Sequence, residues 1–118
     1  MIKRIVGRLL AVALPALLLV GPAHADSYSK VTTVKGLTFE PGTNTVRVIL
    51  TDATGAYEPC SSETWYAFSM ADAGGKEMYA TLLAAKLGGD SLFLQSRGCI
   101  TTYSKVTLVY LCDTIWCQ

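Results

Sequence analysis

The fold is decided by residues 74–89, which read Gly74-Gly75-Lys76-Glu77-Met78-Tyr79-Ala80-Thr81-Leu82-Leu83-Ala84-Ala85-Lys86-Leu87-Gly88-Gly89. The residues between the two glycine pairs are mostly good helix formers. Met78, Leu82 and Ala85 recur at helical spacing and form one apolar stripe. The second glycine pair favours the left-handed conformation in which helices commonly end. The stretch predicts a helix over Lys76–Leu87, and the sequence on both sides of it predicts strands.

Three strand-forming segments precede this helix. Ser29–Phe39 is rich in Val, Thr, Leu and Phe, and Thr45–Thr51 alternates between two faces. Glu40–Thr43 lies between them with Pro second and Gly third, an order that fits a type II turn. These segments predict a hairpin. Thr64–Ser69 is aromatic enough for a third strand.

Two further strands are predicted after the helix. Ser91–Ser96 is short and apolar, and Lys105–Cys112 alternates well. Arg97–Ser104, between them, is expected to be a loop. A five-stranded sheet leaves unpaired backbone groups on its two edge strands, and partial closure into a barrel covers them. The expected fold is therefore mainly β, a five-stranded barrel with one helix between strands 3 and 4.

The N-terminus has the layout of a secretory signal peptide. A basic start, Met1–Arg8, is followed by the apolar run Leu9–Val20 and by the small residues Ala23 and Ala25. We expect cleavage between Ala25 and Asp26. The alternative is a membrane anchor, but the run has 12 residues, and a bilayer span needs about 20.

Cleavage changes the charge of the chain. Lys3, Arg4 and Arg8 are three of its ten basic residues, and no acidic residue leaves with them. The mature chain, residues 26–118, keeps seven basic and nine acidic groups. This balance lacks the basic footprint of a nucleic-acid-binding protein. Its length suits a single domain with a modest core.

All four cysteines lie in the mature part, at Cys60, Cys99, Cys112 and Cys117. An even number of cysteines in a short exported chain predicts disulfides. Three pairings are open, of which we favour Cys60–Cys99 with Cys112–Cys117. A zinc site is the alternative, but the spacing lacks the close pairs that zinc sites use. No metal or other cofactor is predicted.

Catalysis is limited by the absence of histidine from the mature chain, since the single histidine, His24, lies in the signal. This excludes Ser-His-Asp and Cys-His catalysis, and paired cysteines supply no thiolate. Carboxylate pairs remain open, at Glu58 with Glu63 and at Asp72 with Glu77. We expect these acids to be solvated loop residues, because charged side chains are mostly exposed.

The order of three strands, one helix and two strands resembles the OB-fold. Among exported OB-folds, the chain is similar to the binding subunits of pertussis-like and subtilase-type AB5 toxins. The similarity lies in Cys60 before the third strand, the helix 75–85, the strand Ser91–Leu94 and the ending Leu111–Cys117, which carries two cysteines. The resemblance implies ring-shaped homo-oligomers that hold cell-surface glycans. No sugar-contacting residue can be transferred to this chain.

Four aromatic residues are candidate binding residues. Trp65 and Tyr66 are adjacent in a strand and point to opposite faces, so one is expected in the core while the other could hold a sugar. Trp116 lies in the ring that the last two cysteines would close, and Tyr103 in a polar loop. Core packing, a lid over the barrel end and ordinary loop chemistry are the alternatives.

The sequence predicts an exported, non-catalytic binding protein that is secreted or periplasmic. The most specific version of this hypothesis is recognition of a glycan or cell surface. The alternative is an inhibitor or structural module that binds another exported protein. An enzyme that uses carboxylates is a third hypothesis. Expected partners are a glycan, an exported protein or further copies of the chain, with no nucleic acid and no membrane span.

Overall fold

The computed structural model describes residues 26–52, 57–112 and 117. The predicted signal peptide, its cleavage site after Ala25 and the candidate Trp116 lie outside the described residues. Within these residues the structure has six strands and one helix: β1 (Ser27–Tyr28), β2 (Val34–Glu40), β3 (Thr45–Leu50), β4 (Tyr66–Ser69), α1 (Gly75–Gly88), β5 (Leu92–Ile100) and β6 (Tyr103–Leu111). The prediction of a mainly β fold with one helix is confirmed.

The strands form one mixed sheet in the order β1-β5-β6-β4-β3-β2. The pairing of β4 with β6 is parallel, and every other neighbouring pair is antiparallel. The sheet is not closed, because β1 and β2 each have one strand neighbour. Within the described residues the sheet is therefore open and has six strands, which does not confirm the predicted partly closed, five-stranded barrel.

The additional strand, β1, lies just before the predicted strand Ser29–Phe39, whose first residues continue along β5 before the rest pairs with β3. The N–H of Ser29 donates to the carbonyl of Leu94 at 2.8 Å, on the β5 side. A few residues later the carbonyl of Thr33 accepts from Thr51, which follows β3, at 2.9 Å. The chain thus leaves one edge of the sheet and joins the other within residues 29–33. A β-rich composition does not reveal such a change of partner.

The predicted loop Arg97–Ser104 is wrong, because most of it is strand. β5 continues to Ile100, and β6 begins at Tyr103 after a two-residue turn. The register shifts between Ser96 and Cys99, and Gly98 has a φ of 70°. A β-bulge accommodates an extra residue with a positive φ, here Gly98, without ending the strand. Glycine and polar residues in this stretch therefore mark a bulge and a tight turn.

The predicted hairpin of β2 and β3 is confirmed, but its turn differs from the predicted type II. Gly42 does not have a positive φ, whereas Asn44 has a φ of 54°. The N–H of Asn44 donates to the carbonyl of Pro41 at 3.4 Å. Asparagine tolerates the left-handed region better than most residues. The residue with the positive φ in this turn is therefore Asn44, and not Gly42 as a type II turn would require.

Helix α1 packs against β2 and β6 and exceeds its predicted bounds by one residue at each end. Leu82 and Ala85 are fully buried, as the apolar stripe predicts, and Gly89 caps the C-terminus with a φ of 68°. The remaining core is formed by strand residues: Val34, Val46, Val48, Leu50, Tyr66, Phe68, Leu92, Leu94 and Val106.

Two disulfides join Cys60 to Cys99 and Cys112 to Cys117, the pairing that the sequence favours. The first ties the segment before β4 to β5, and the second closes a small ring after β6. Both are consistent with folding in an oxidising compartment. Among the described residues, no helix is long and apolar enough to cross a membrane.

Candidate functional site

The outer face of the sheet is defined by residues that alternate with the core. In β3, Val46 and Val48 point inward, so Arg47 between them points outward. Arg47 lies opposite Ala67 of β4, which in turn lies opposite Lys105 of β6. Residues directly opposite one another share a face. These three strands therefore share one outer face, on which Arg47 and Lys105 are partly exposed and Ala67 between them is buried.

Arg47, Trp65 and Tyr103 meet on this surface, and we call them the outer-face cluster. The Arg47 Cζ lies 5.8 Å from the ring centroid of Trp65 and 5.9 Å from that of Tyr103. Arg47 Nη1 donates to the Tyr103 hydroxyl at 3.3 Å. Cation–π contacts of this length stabilise the side chains and keep the guanidinium against the two rings.

The charge of Arg47 is only partly compensated. Its Nη2 lies 3.8 Å from Glu40 Oε2, and both side chains are substantially exposed, which makes this a weak ion pair. Arg47 Nε is buried and has no hydrogen-bond partner in the described part of the chain. A buried donor without a partner is uncommon away from functional sites.

The structure thus brings together two of the four aromatic candidates. Trp65 and Tyr103 are both half-buried, so each keeps part of its ring surface accessible. Trp65 immediately precedes β4, and Tyr103 is the first residue of β6. Tyr103 is therefore part of a strand and not of the loop that the sequence predicted.

Tyr66 is not accessible, because it has no exposed surface and belongs to the core. Its ring stacks on Tyr57 with 4.6 Å between centroids, and the two side chains are hydrogen-bonded. Burial, the neighbouring Tyr57 and this hydrogen bond raise the pKa of Tyr66. Burial also raises the pKa of Tyr57, against a smaller opposing effect of the hydrogen bond. Of the adjacent pair, Tyr66 is the core residue and Trp65 the surface residue.

One of the four candidate acidic residues does not have the solvated position that the sequence predicts. Glu58 is buried, whereas a solvated position was predicted. Its backbone N–H donates to the hydroxyl of buried Ser104 at 3.0 Å, which draws the segment onto β6. Glu63 and Glu77 are exposed, and Asp72 is paired with Lys105. Neither pair suggested for glycoside chemistry shares an environment, since each combines an exposed acid with one that is buried or paired.

A shallow cavity of about 290 Å³ borders the same face. It lies between the start of α1 and β6, and an ion pair of Lys105 Nζ with Asp72 Oδ2, 3.7 Å apart, forms its polar side. Met78 and Val106 form its apolar side. Lys105 lies two residues from Tyr103 on the outer face, so the cavity adjoins the outer-face cluster.

Sequence reasoning missed two further surface features. The first is Arg47, whose only signal was a cationic residue on the outward face of an apolar strand. The second is an aromatic row of Tyr28, Phe93 and Tyr110, with centroids 6.2 Å and 4.8 Å apart. Phe93 and Tyr110 stack on each other, so their ring faces are already in contact. Tyr28, at the end of the row, keeps 53% of its surface exposed.

Helix α1 has an apolar surface on the side away from the core. Ala80, Leu83, Ala84 and Leu87 are all exposed, and Leu87 keeps 81% of its surface accessible. We call these four residues the helix stripe. A helix that is apolar on opposite sides is typical of one that packs against two partners.

Comparison with protein-family models and with curated proteins returned no relative. No protein-family model matches the chain, and no curated protein matches it. The resemblance to toxin binding subunits therefore stays a prediction, and function has to be inferred from the geometry of the surface.

Proposed function

We propose that the mature chain is an exported, non-catalytic recognition protein that binds carbohydrate on its outer sheet face. The observation that carries the proposal is the outer-face cluster. A half-buried indole and a phenol ring lie beside one guanidinium on a rigid sheet. Aromatic rings can stack on the apolar C–H face of a sugar. Arginine and the tyrosine hydroxyl offer hydrogen bonds to sugar hydroxyls.

The proposal extends to the architecture. We infer an OB-like arrangement that is open between β1 and β2, whose edges are connected by residues 29–33. Support comes from the strand order, from the parallel pairing of β4 with β6 and from the helix between β4 and β5. On this basis we keep the proposed relationship to the binding subunits of AB5 toxins, with secretion or the periplasm as the location.

Binding to immobilised glycans tests the proposed function. We expect weak binding of purified mature protein to at least one glycan class, and Trp65→Ala should weaken it strongly. Loss of an aromatic anchor costs about 2 kcal/mol, or about thirtyfold in affinity. Binding to a neutral sugar should change little with salt, because screening acts on charges.

Tyr28→Ala is the matched control, since it removes an exposed aromatic side chain from another part of the sheet. It should bind as the wild type does. If no glycan is retained, or if Trp65→Ala binds as well as the wild type, carbohydrate recognition by this face is wrong.

The second candidate is a protein-binding module, inhibitory or structural, and the helix stripe favours it. Leu83 and Leu87 expose apolar surface that a protein partner or a second copy would cover. If a second copy covers it, light scattering should give a multiple of the mature mass for the wild type and the monomer mass for Leu87→Lys. Lys86→Gln, exposed outside the stripe, should behave as the wild type. A monomeric wild-type protein would exclude this form of the hypothesis.

A further inference from the structure

The two aromatic residues of the outer-face cluster are connected through Ser62. The Ser62 hydroxyl accepts from the backbone N–H of Trp65 at 3.2 Å and from that of Thr64 at 3.4 Å. The backbone N–H of Ser62 donates to the carbonyl of Thr102 at 2.8 Å. Thr102 directly precedes Tyr103. One short residue therefore contacts the chain next to both rings.

The segment that carries Ser62 is attached to the β5–β6 hairpin at two further points. Glu58 N–H donates to the buried Ser104 hydroxyl at 3.0 Å, and the Cys60–Cys99 disulfide follows two residues later. The three attachments are evenly spaced along residues 58–62. They fix the position of the chain at Trp65, immediately before β4.

We propose that Ser62 is a positioning residue for the outer-face cluster, with the Cys60–Cys99 disulfide as its support. Ser62 sets the separation of Trp65 from Tyr103, and that separation lets one guanidinium, from Arg47, contact both rings. The consequence for ligand binding rests on the proposed function. The placement of Trp65 does not, because it is a property of the free protein.

A serine suits this position because its hydroxyl is short enough to reach backbone N–H groups two and three residues ahead. Alanine would leave the N–H groups of Thr64 and Trp65 without this acceptor. The entry to β4 would then be free to move relative to the β5–β6 turn. Threonine keeps the hydroxyl and should preserve the placement.

The test uses the fluorescence of Trp65 in the full mature chain. The chain has two tryptophans, so Trp116→Phe leaves Trp65 as the single reporter in every variant. Ser62→Ala should shift its emission to longer wavelength and increase quenching by acrylamide. Ser62→Thr should restore the spectrum, and Ser61→Ala, at the exposed neighbour, should not change it. The double variant Cys60→Ser with Cys99→Ser should move the emission in the same direction as Ser62→Ala.

Circular dichroism melts separate this effect from global unfolding, since each variant is compared in its folded range. Ser62→Ala should also weaken binding to the retained glycan by about fivefold, because the two hydrogen bonds that hold the chain at Trp65 are lost. Unchanged emission and quenching in folded Ser62→Ala would overturn the inference, whatever the protein binds. A shifted spectrum in a protein that retains no glycan would support Ser62 as a positioning residue and contradict the proposed ligand.

Discussion

Arg47 shows how a single residue gives the surface its chemistry. Its neighbours Val46 and Val48 occupy the core, so strand alternation directs the guanidinium outward. There it lies against Trp65 and Tyr103, while its Nε is buried and has no hydrogen-bond partner among the described residues. An unpaired buried donor costs about 1–3 kcal/mol.

Gly75 is a residue whose size is fixed by close packing. It is buried at the start of α1, and a Cβ built there would meet the backbone of Ser69 and lie 3.1 Å from Met70 Cα. We expect Gly75→Ala to lower the free energy of unfolding by about 1–3 kcal/mol, as overpacking does. Urea denaturation measures this loss.

Gly42 provides the control for this prediction. A Cβ there has no heavy atom within 4 Å, and the φ of Gly42 is not positive. Gly42→Ala should therefore stay within about 0.5 kcal/mol of the wild type. Equal stability of the Gly75→Ala and Gly42→Ala proteins would show that the helix can move away from β4 at little cost.

At the scale of elements, the entry into β4 places one aromatic residue on the surface, Trp65, and the next in the core, Tyr66. Alternation predicts that Trp65 and Tyr66 face opposite sides, but it does not say which side is the core. The choice follows from Tyr66 lying opposite Val48 and Ser104, both buried. These pairings are long-range, so no local pattern could have supplied them. The same reason explains why the partner change after β1 was missed.

The burial of Tyr66 predicts alkaline sensitivity. Its pKa is raised in the folded protein, whereas an unfolded tyrosine ionises near pH 10. Below about pH 10 the Tyr66 phenol is protonated in both states, so its contribution to the free energy of unfolding is fully present. Above this pH the unfolded state loses a proton that the native state keeps. The free energy of unfolding should fall by about 1.4 kcal/mol per pH unit for this group.

Urea denaturation at several pH values between about 9 and 11.5 tests this expectation. Tyr66→Phe removes the titrating group and keeps the ring that stacks on Tyr57, so its stability should decline less steeply with pH. Identical slopes for the wild type and Tyr66→Phe would mean that other groups control the alkaline transition.

At the scale of the whole molecule, local sequence signals predicted the individual elements better than they predicted whether the sheet closes. Helix-forming residues 76–87 and the β2–β3 hairpin were identified because their patterns are local. The Cys60–Cys99 and Cys112–Cys117 pairing also agrees with the structure. The bulged hairpin of β5 and β6 was missed, since Gly98 and polar neighbours are equally common in loops. The outer-face cluster was predicted only in part, because Arg47 joins it through strand pairing.

The claim that carbohydrate binds at the outer-face cluster is tested most directly by NMR titration of the ¹⁵N-labelled mature protein with soluble oligosaccharides. The indole N–H of Trp65 and the amides of Arg47 and Tyr103 should shift together as sugar is added, while those of Tyr28 and Phe93 stay in place. Shifts confined to the aromatic row, or no shifts with any sugar, would contradict the account.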